Sequence, residues 1–128
     1  MKISEVSLRC DVSNDTLRYY ERIGLLPPVN RSPSGIRDFN ELDVRRVEFI
    51  KCMRSAGLNI EVLLEYFKLV QQGDHTMETR KQILIEQHAQ LLVKMAEMQK
   101  TLDLLNYKIE VYEKAVLKAE HDMALLED

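Results

Sequence analysis

Glycine and proline are scarce in this sequence. Only four Gly and three Pro occur among 128 residues, and the three Pro all lie between Pro27 and Pro33. Everything outside that window is free to be helical, so the expected fold class is mostly α. The only two cysteines, Cys10 and Cys52, stand in no CxxC or Cys/His ligand spacing, which argues against a disulfide framework and against a zinc site and leaves free thiols. No stretch nears the roughly 18 apolar residues that a membrane span needs, and Met1-Lys2-Ile3-Ser4-Glu5 is too mixed to open a signal peptide. A cytoplasmic location with no membrane partner is expected. Catalytic constellations are missing as well. No Ser/His/Asp set, metal cluster or glycine-rich phosphate loop occurs, and the three His fall on or beside the C-terminal pattern described below. Neither an enzyme activity nor a metal or cofactor is expected.

At 15.0 kDa the chain fits one small domain plus one long appendage, which excludes an enzyme with separate substrate and cofactor lobes. What is present is unevenly distributed. The net charge of −3 argues by itself against a nucleic-acid partner. Residues 1–59, however, carry ten Lys/Arg against eight Asp/Glu, and residues 60–128 carry eight against thirteen. Eight of the nine Arg lie in the first part. Arginine forks onto phosphates and base edges, so the front half is the candidate binding surface.

The first residues predict two short helices joined by a tight turn. Ile3, Val6 and Ser7 form a small inward face, Cys10-Asp11-Val12 a break, and Ser13 or Asn14 can cap a second helix from Asp15 to about Ile23, stopped by Gly24. On that helix Leu17, Tyr20 and Gly24 share one side, while Arg18, Tyr19 and Arg22 point the other way. This is a helix-turn-helix pattern with a polar outer face, although an ordinary helical hairpin would show it too. The turn-forming Ser32-Pro33-Ser34-Gly35 then predicts a small β-hairpin whose arms carry Arg31 and Arg37, as a wing after a recognition helix would. Asn40 caps a third helix, Glu41 to Ala56, and Asn59 a fourth, Ile60 to about Gln72, with Gly57 and Gly73 past their ends. Leu42, Phe49, Met53 and Ala56 are expected as the buried stripe of the third, and Leu63, Leu64, Phe67 and Val70 as that of the fourth.

From Thr76 onward one pattern runs without Gly or Pro. Alternating steps of four and three from Leu84 meet His88, Leu91, Met95, Met98, Leu102, Leu105, Ile109, Tyr112, Val116, Ala119, Met123 and Leu126, and His88 alone of these is neither apolar nor aromatic. Such a heptad defines a coiled-coil seam, and a single helix cannot bury it, so a homodimer through this segment is expected. His88 reads as a register-setting polar residue. Ile83, Ile85, Leu92 and Val93 widen the stripe only near its start, which suggests that this part also receives the front domain. Acidic residues concentrate beyond Glu110, so charge favours antiparallel pairing, and a helix folding back near Asn106 is an open alternative.

Taken together, Leu17-Arg18-Tyr19-Tyr20-Glu21-Arg22-Ile23-Gly24-Leu25-Leu26, Gly35-Ile36-Arg37-Asp38-Phe39 and Phe49-Ile50-Lys51-Cys52-Met53-Arg54-Ser55-Ala56-Gly57-Leu58 closely resemble the MerR family of bacterial transcription regulators. The resemblance spans roughly residues 1–75. It implies a winged helix-turn-helix DNA-binding domain over 1–75 followed by a long dimerising coiled-coil helix over 76–128. It also implies double-stranded promoter DNA as partner, with RNA polymerase at the same promoter, whose overlong spacer the activated dimer bends and untwists. By the family match, Arg18, Tyr19 and Arg37 grip backbone phosphates, Tyr20 supports them, and Thr16 is placed for a base or phosphate contact. Each could instead be merely exposed, or, for the inward Tyr20, a packing residue.

Metal-sensing members of the family carry a cysteine pair near the end of the dimer helix, and multidrug-responsive members carry a large effector domain; no cysteine follows Cys52 up to Asp128, and neither subgroup is expected here. Lys51-Cys52-Met53-Arg54 ahead of Ala56-Gly57-Leu58 resembles instead the small single-cysteine subgroup that responds to aldehydes, other reactive electrophiles or nitrosative stress, with Cys52 as sensor. On its own residues, Cys52 falls at the edge of an apolar stripe among Arg45, Lys51 and Arg54, which favours a reachable thiolate. Its place near a helix C-terminus opposes negative charge, so a small buried hydrophobe is the competing reading. Cys10, placed in the turn, departs from the subgroup and is either a second reactive thiol or packing. Two other functions stay open: a coiled-coil adaptor or antitoxin-like interaction protein, and a regulator that senses a non-covalent ligand.

Overall fold

The computed structural model describes residues 1–127; Asp128 and the side chain of Leu126, the last position of the predicted seam, lie outside the described residues. Five α-helices follow one another: α1 (Ile3–Cys10), α2 (Asn14–Arg22), α3 (Glu41–Ser55), α4 (Ile60–Gln72) and α5 (Met77–Glu127), with a 3₁₀ turn, Asp74–Thr76, before the last. The helices begin where side-chain oxygens can take the orphan N–H groups of a first turn. Ser13 caps α2, Asn59 caps α4, and on α3 the Asn40 side chain accepts from the Asp43 N–H while Asp43 accepts from the Asn40 N–H, both at 2.9 Å. Gly24, at φ 84°, supplies the left-handed residue past the end of α2.

α1 ends without a glycine. Asp11 takes the left-handed conformation there, with φ 53°, which a short polar side chain tolerates better than most. Cys10 is therefore the last residue of α1 and not part of the turn.

By compactness the chain divides into two units, Met1–Gln87 and His88–Asp128. The first holds one apolar cluster fed by α1 to α4 and the segment between α2 and α3: Val6 and Cys10 of α1, Leu17 of α2, Leu25, Leu26, Val29 and Phe39 of the connecting segment, and residues of α3 and α4. α4 matches expectation, with Leu63 and Phe67 buried and Leu64 and Val70 packed beside them. On α3 the expected stripe is wrong in part: Val44, Val47 and Ile50 are fully enclosed, whereas Leu42 is 48% exposed. The helix is apolar on two sides. Phe49 stacks on Tyr66 and meets the edge of Phe67 on α4, while Val44, Val47 and Ile50 join the main cluster.

The expected β-hairpin reduces to one antiparallel bridge, Arg31 with Arg37, and no strand forms among the described residues. Pro28 and Pro33 lack the N–H that a longer ladder needs. Bonds within the wing include Ser32 N–H to Ile36 O at 2.7 Å, Gly35 N–H to Ser32 O at 2.9 Å, Asp38 N–H to Asn30 O at 2.6 Å, Ile36 N–H to Ser32 Oγ at 3.2 Å and Arg31 Nη1 to Gly35 O at 2.8 Å.

α5 runs unbroken through Asn106, so the fold-back alternative is not adopted. In the second unit no described side chain is buried. Nor is the apolar widening confined to the start of the pattern: Leu104, Tyr107, Val111, Leu117 and Leu125 lie off the seam, and each is exposed. No helix among the described residues is long and apolar enough to cross a membrane.

Candidate nucleic-acid interface

α2 is fixed from its inner side. Leu17 is 1% exposed and Tyr20 packs partly buried against the cluster, which turns Arg18 and Tyr19 to solvent. The start of the helix is held by Ser13, whose Oγ accepts the Thr16 N–H at 3.1 Å and lies 2.7 Å from the Thr16 hydroxyl. Thr16 is thus part of the cap and half-buried. Arg18 pairs with Asp15 one turn earlier at 3.0 Å, both side chains largely exposed, an arrangement of little stabilising value that a phosphate can displace. The Arg22 guanidinium lies 5.3 Å from the centroid of the Tyr19 ring, and Tyr19 and Tyr20 tilt together with centroids 6.3 Å apart.

Arg37 is held differently. Its side chain is only 24% exposed, and its Nε donates to Glu21 Oε1 at 2.7 Å. The other oxygen of Glu21 accepts the Val29 N–H at 2.7 Å. Burial favours the neutral acid of Glu21, but the Val29 N–H, the hydrogen bond from Arg37 and the charges of Arg37 and Arg31 outweigh it and hold this carboxyl below the usual range. Glu21 went unnoticed in the sequence, although one signal existed: it sits four residues after Leu17, a charge on the inner side of a helix whose charges otherwise face out. Thr16, Arg18, Tyr19 and Tyr20 therefore share one helix, and that helix grips Arg37 through Glu21.

Cys52 belongs to a different place, exposed near the end of α3. Two of the cations expected to support it are engaged elsewhere. Lys51 Nζ donates to the Cys10 carbonyl at 2.9 Å and reaches Asp11 Oδ2 at 3.5 Å, and Arg54 Nη1 donates to the Leu58 carbonyl at 2.9 Å. Cys10 is 5% exposed. Burial, with a lesser push from Glu48, raises its thiol pKa against the opposing charges of Arg9 and Lys51, so of the two readings of Cys10 its surroundings favour packing.

Residues 1–69 match the model of the MerR HTH family regulatory protein, and residues 44–107 match that of the MerR DNA-binding region. This chain belongs to the MerR family. It is 52% identical over 92 residues to the HTH-type transcriptional regulator AdhR of Bacillus subtilis (strain 168), an alignment that takes in 72% of this chain and 66% of that protein. Among solved structures, a MerR family transcriptional regulator from Listeria monocytogenes superposes with a TM-score of 0.91 at 42% identity, covering 96% of this chain and 93% of the other. HiNmlR, a MerR family regulator lacking the sensor domain and bound to promoter DNA, superposes at 0.82 with 30% identity, covering 89% and 90%. The protein is a MerR-family transcriptional regulator with the family's helix-turn-helix DNA-binding region and long C-terminal helix.

Proposed function

We propose that the chain works as a cytoplasmic homodimer with no enzyme activity or cofactor, binding promoter DNA through residues 1–75 and dimerising through residues 76–128. Arg18, Tyr19 and Arg37 hold backbone phosphates, Tyr20 supports them, and Thr16 meets a base or phosphate at the helix start. The observation that carries this reading is the solvent face of α2: Leu17 anchors the helix, Arg18 and Tyr19 stand exposed, and Glu21 ties in the Arg37 side chain. A two-fold dimer reads a pseudo-palindrome, and distorting the DNA between half-sites costs about 1–6 kcal/mol, which phosphate contacts offset. RNA polymerase at that promoter then meets recognition elements brought back into register. Arg37→Ala is expected to weaken binding on all sequences and to flatten the salt dependence by roughly one unit of slope; an unchanged slope would remove Arg37 from the interface.

The signal is a reactive aldehyde, another electrophile or a nitrosating species acting on Cys52. The exposed position of Cys52 supports this, since the nucleophile must be reached. With an aldehyde, sulfur bonds to the carbonyl carbon, the C=O π bond opens and the thiol proton ends on that oxygen. The test is run-off transcription from the gene's own upstream region with wild-type, Cys52→Ala and Cys10→Ala protein, each with and without an aldehyde. Induction should disappear in Cys52→Ala alone. If Cys52→Ala responds as strongly as wild type, Cys52 is not the sensor, and the signal passes to Cys10 or to a non-covalent ligand, which the Cys10→Ala response separates.

A further inference from the structure

The wing has a stable shape and few ties to the rest of its unit: at its far end the Met1 ammonium donates to Asp38 Oδ1 at 2.8 Å and to the Phe39 carbonyl at 2.6 Å, and the Phe39 N–H donates to the Met1 carbonyl at 2.8 Å. Its bridge and turn bonds are all internal to residues 30–38, and only Val29 and Phe39 at its two ends are buried in the cluster. Among the described residues, two hydrogen bonds join α2 to the segment from Val29 to Phe39, and both end on Glu21: Val29 N–H to Oε2 and Arg37 Nε to Oε1, each at 2.7 Å. With Nε engaged, the two terminal nitrogens of Arg37 have no hydrogen-bond partner among the described residues. They form the paired edge that fits a phosphate.

We propose that Glu21 is a positioning residue for DNA binding, one that fixes the wing to α2 and holds the Arg37 guanidinium with its terminal edge free for a phosphate. This rests on the reading of Arg37 as a phosphate contact. A guanidinium already immobilised loses less side-chain freedom when it binds, so the carboxylate favours DNA binding although its own charge repels DNA.

That opposition of sign supplies the test. If Glu21 acted only through its charge, Glu21→Gln would tighten binding by removing a negative group near the phosphates. Positioning predicts the reverse: about tenfold weaker binding of a duplex carrying the gene's upstream region, measured by fluorescence anisotropy over a salt series. The loss should vanish in an Arg37→Ala background, and hydroxyl-radical footprints of Glu21→Gln should lose the wing's protections while those of α2 persist. Arg37→Lys keeps the charge but not the paired edge, and should keep the wild-type salt slope while binding more weakly than wild type. Thermal melting of every variant identifies folded protein. Wild-type or tighter binding by Glu21→Gln, an effect that simply adds to that of Arg37→Ala, or a lowered melting temperature with unchanged affinity, overturns the role of Glu21 alone. Unchanged affinity and salt slope in Arg37→Ala overturn the phosphate reading, and the Glu21 inference with it.

Discussion

Leu17 and Leu102 are the same residue on two helices of one chain, yet the first is 1% exposed and the second 50%. The contrast holds for the units around them. In residues 1–87 each amphipathic helix finds its apolar partner within the unit, and the result is a closed core from Val6 to Phe67. In residues 88–125 the apolar side chains are as regular but none is buried: Met98, Ile109, Tyr112 and Val116 are all more than half exposed. A hydrophobic periodicity therefore says that a face is to be covered, and the sequence of neighbouring elements decides whether the cover comes from the same chain.

The sharpest way to break this contrast is to place charge on the seam. Leu102→Asp combined with Leu105→Asp should abolish dimerisation in sedimentation, while the front unit keeps its fold; an unchanged mass would mean that the seam faces no second copy. Next in size, Ile50→Ala opens a cavity in the closed core and should cost about 2–5 kcal/mol in urea unfolding, a loss that no single Leu→Ala on the exposed seam should impose on the front unit. Ser13→Ala, which removes a cap and no packing, should cost about 1 kcal/mol by the same measurement. The smallest effect is one of pH. Glu21 has its folded pKa lowered, so its contribution is present in full above the ordinary carboxylate range of about 4.3 and disappears as pH falls through the folded value. Acid titration of stability should show this, and Glu21→Gln should flatten that part of the curve.

Much of this was legible in the residues. Asn40 and Asn59 marked the starts of α3 and α4, Gly24, Gly57 and Gly73 lay past helix ends, and the glycine-free run after Thr76 announced α5. Side-chain direction and partnership were less legible. α3 carries apolar residues on two sides, so one stripe drawn through Leu42 and Phe49 missed Val44, Val47 and Ile50. The end of α1 lacked its usual sign because Asp11 fills a place where glycine is common, and Cys10 was misplaced with it. Arg37 was correctly placed on the wing, but its bond to Glu21 spans 16 residues and two elements, beyond any local pattern. The engagement of Lys51 with the end of α1, 41 residues away, was hidden for the same reason.

The uncovered length of α5 also has a consequence in time. A helix without tertiary cover rests on propagation of its own hydrogen bonds and opens easily, whereas a core element opens only with much of its domain. If α5 pairs with a second copy as proposed, amide hydrogens of residues 88–125 should exchange at rates that fall as protein concentration rises, while those around Val47 and Ile50 keep one rate throughout. In the cell the number of copies would then set how long this half of the molecule stays ordered.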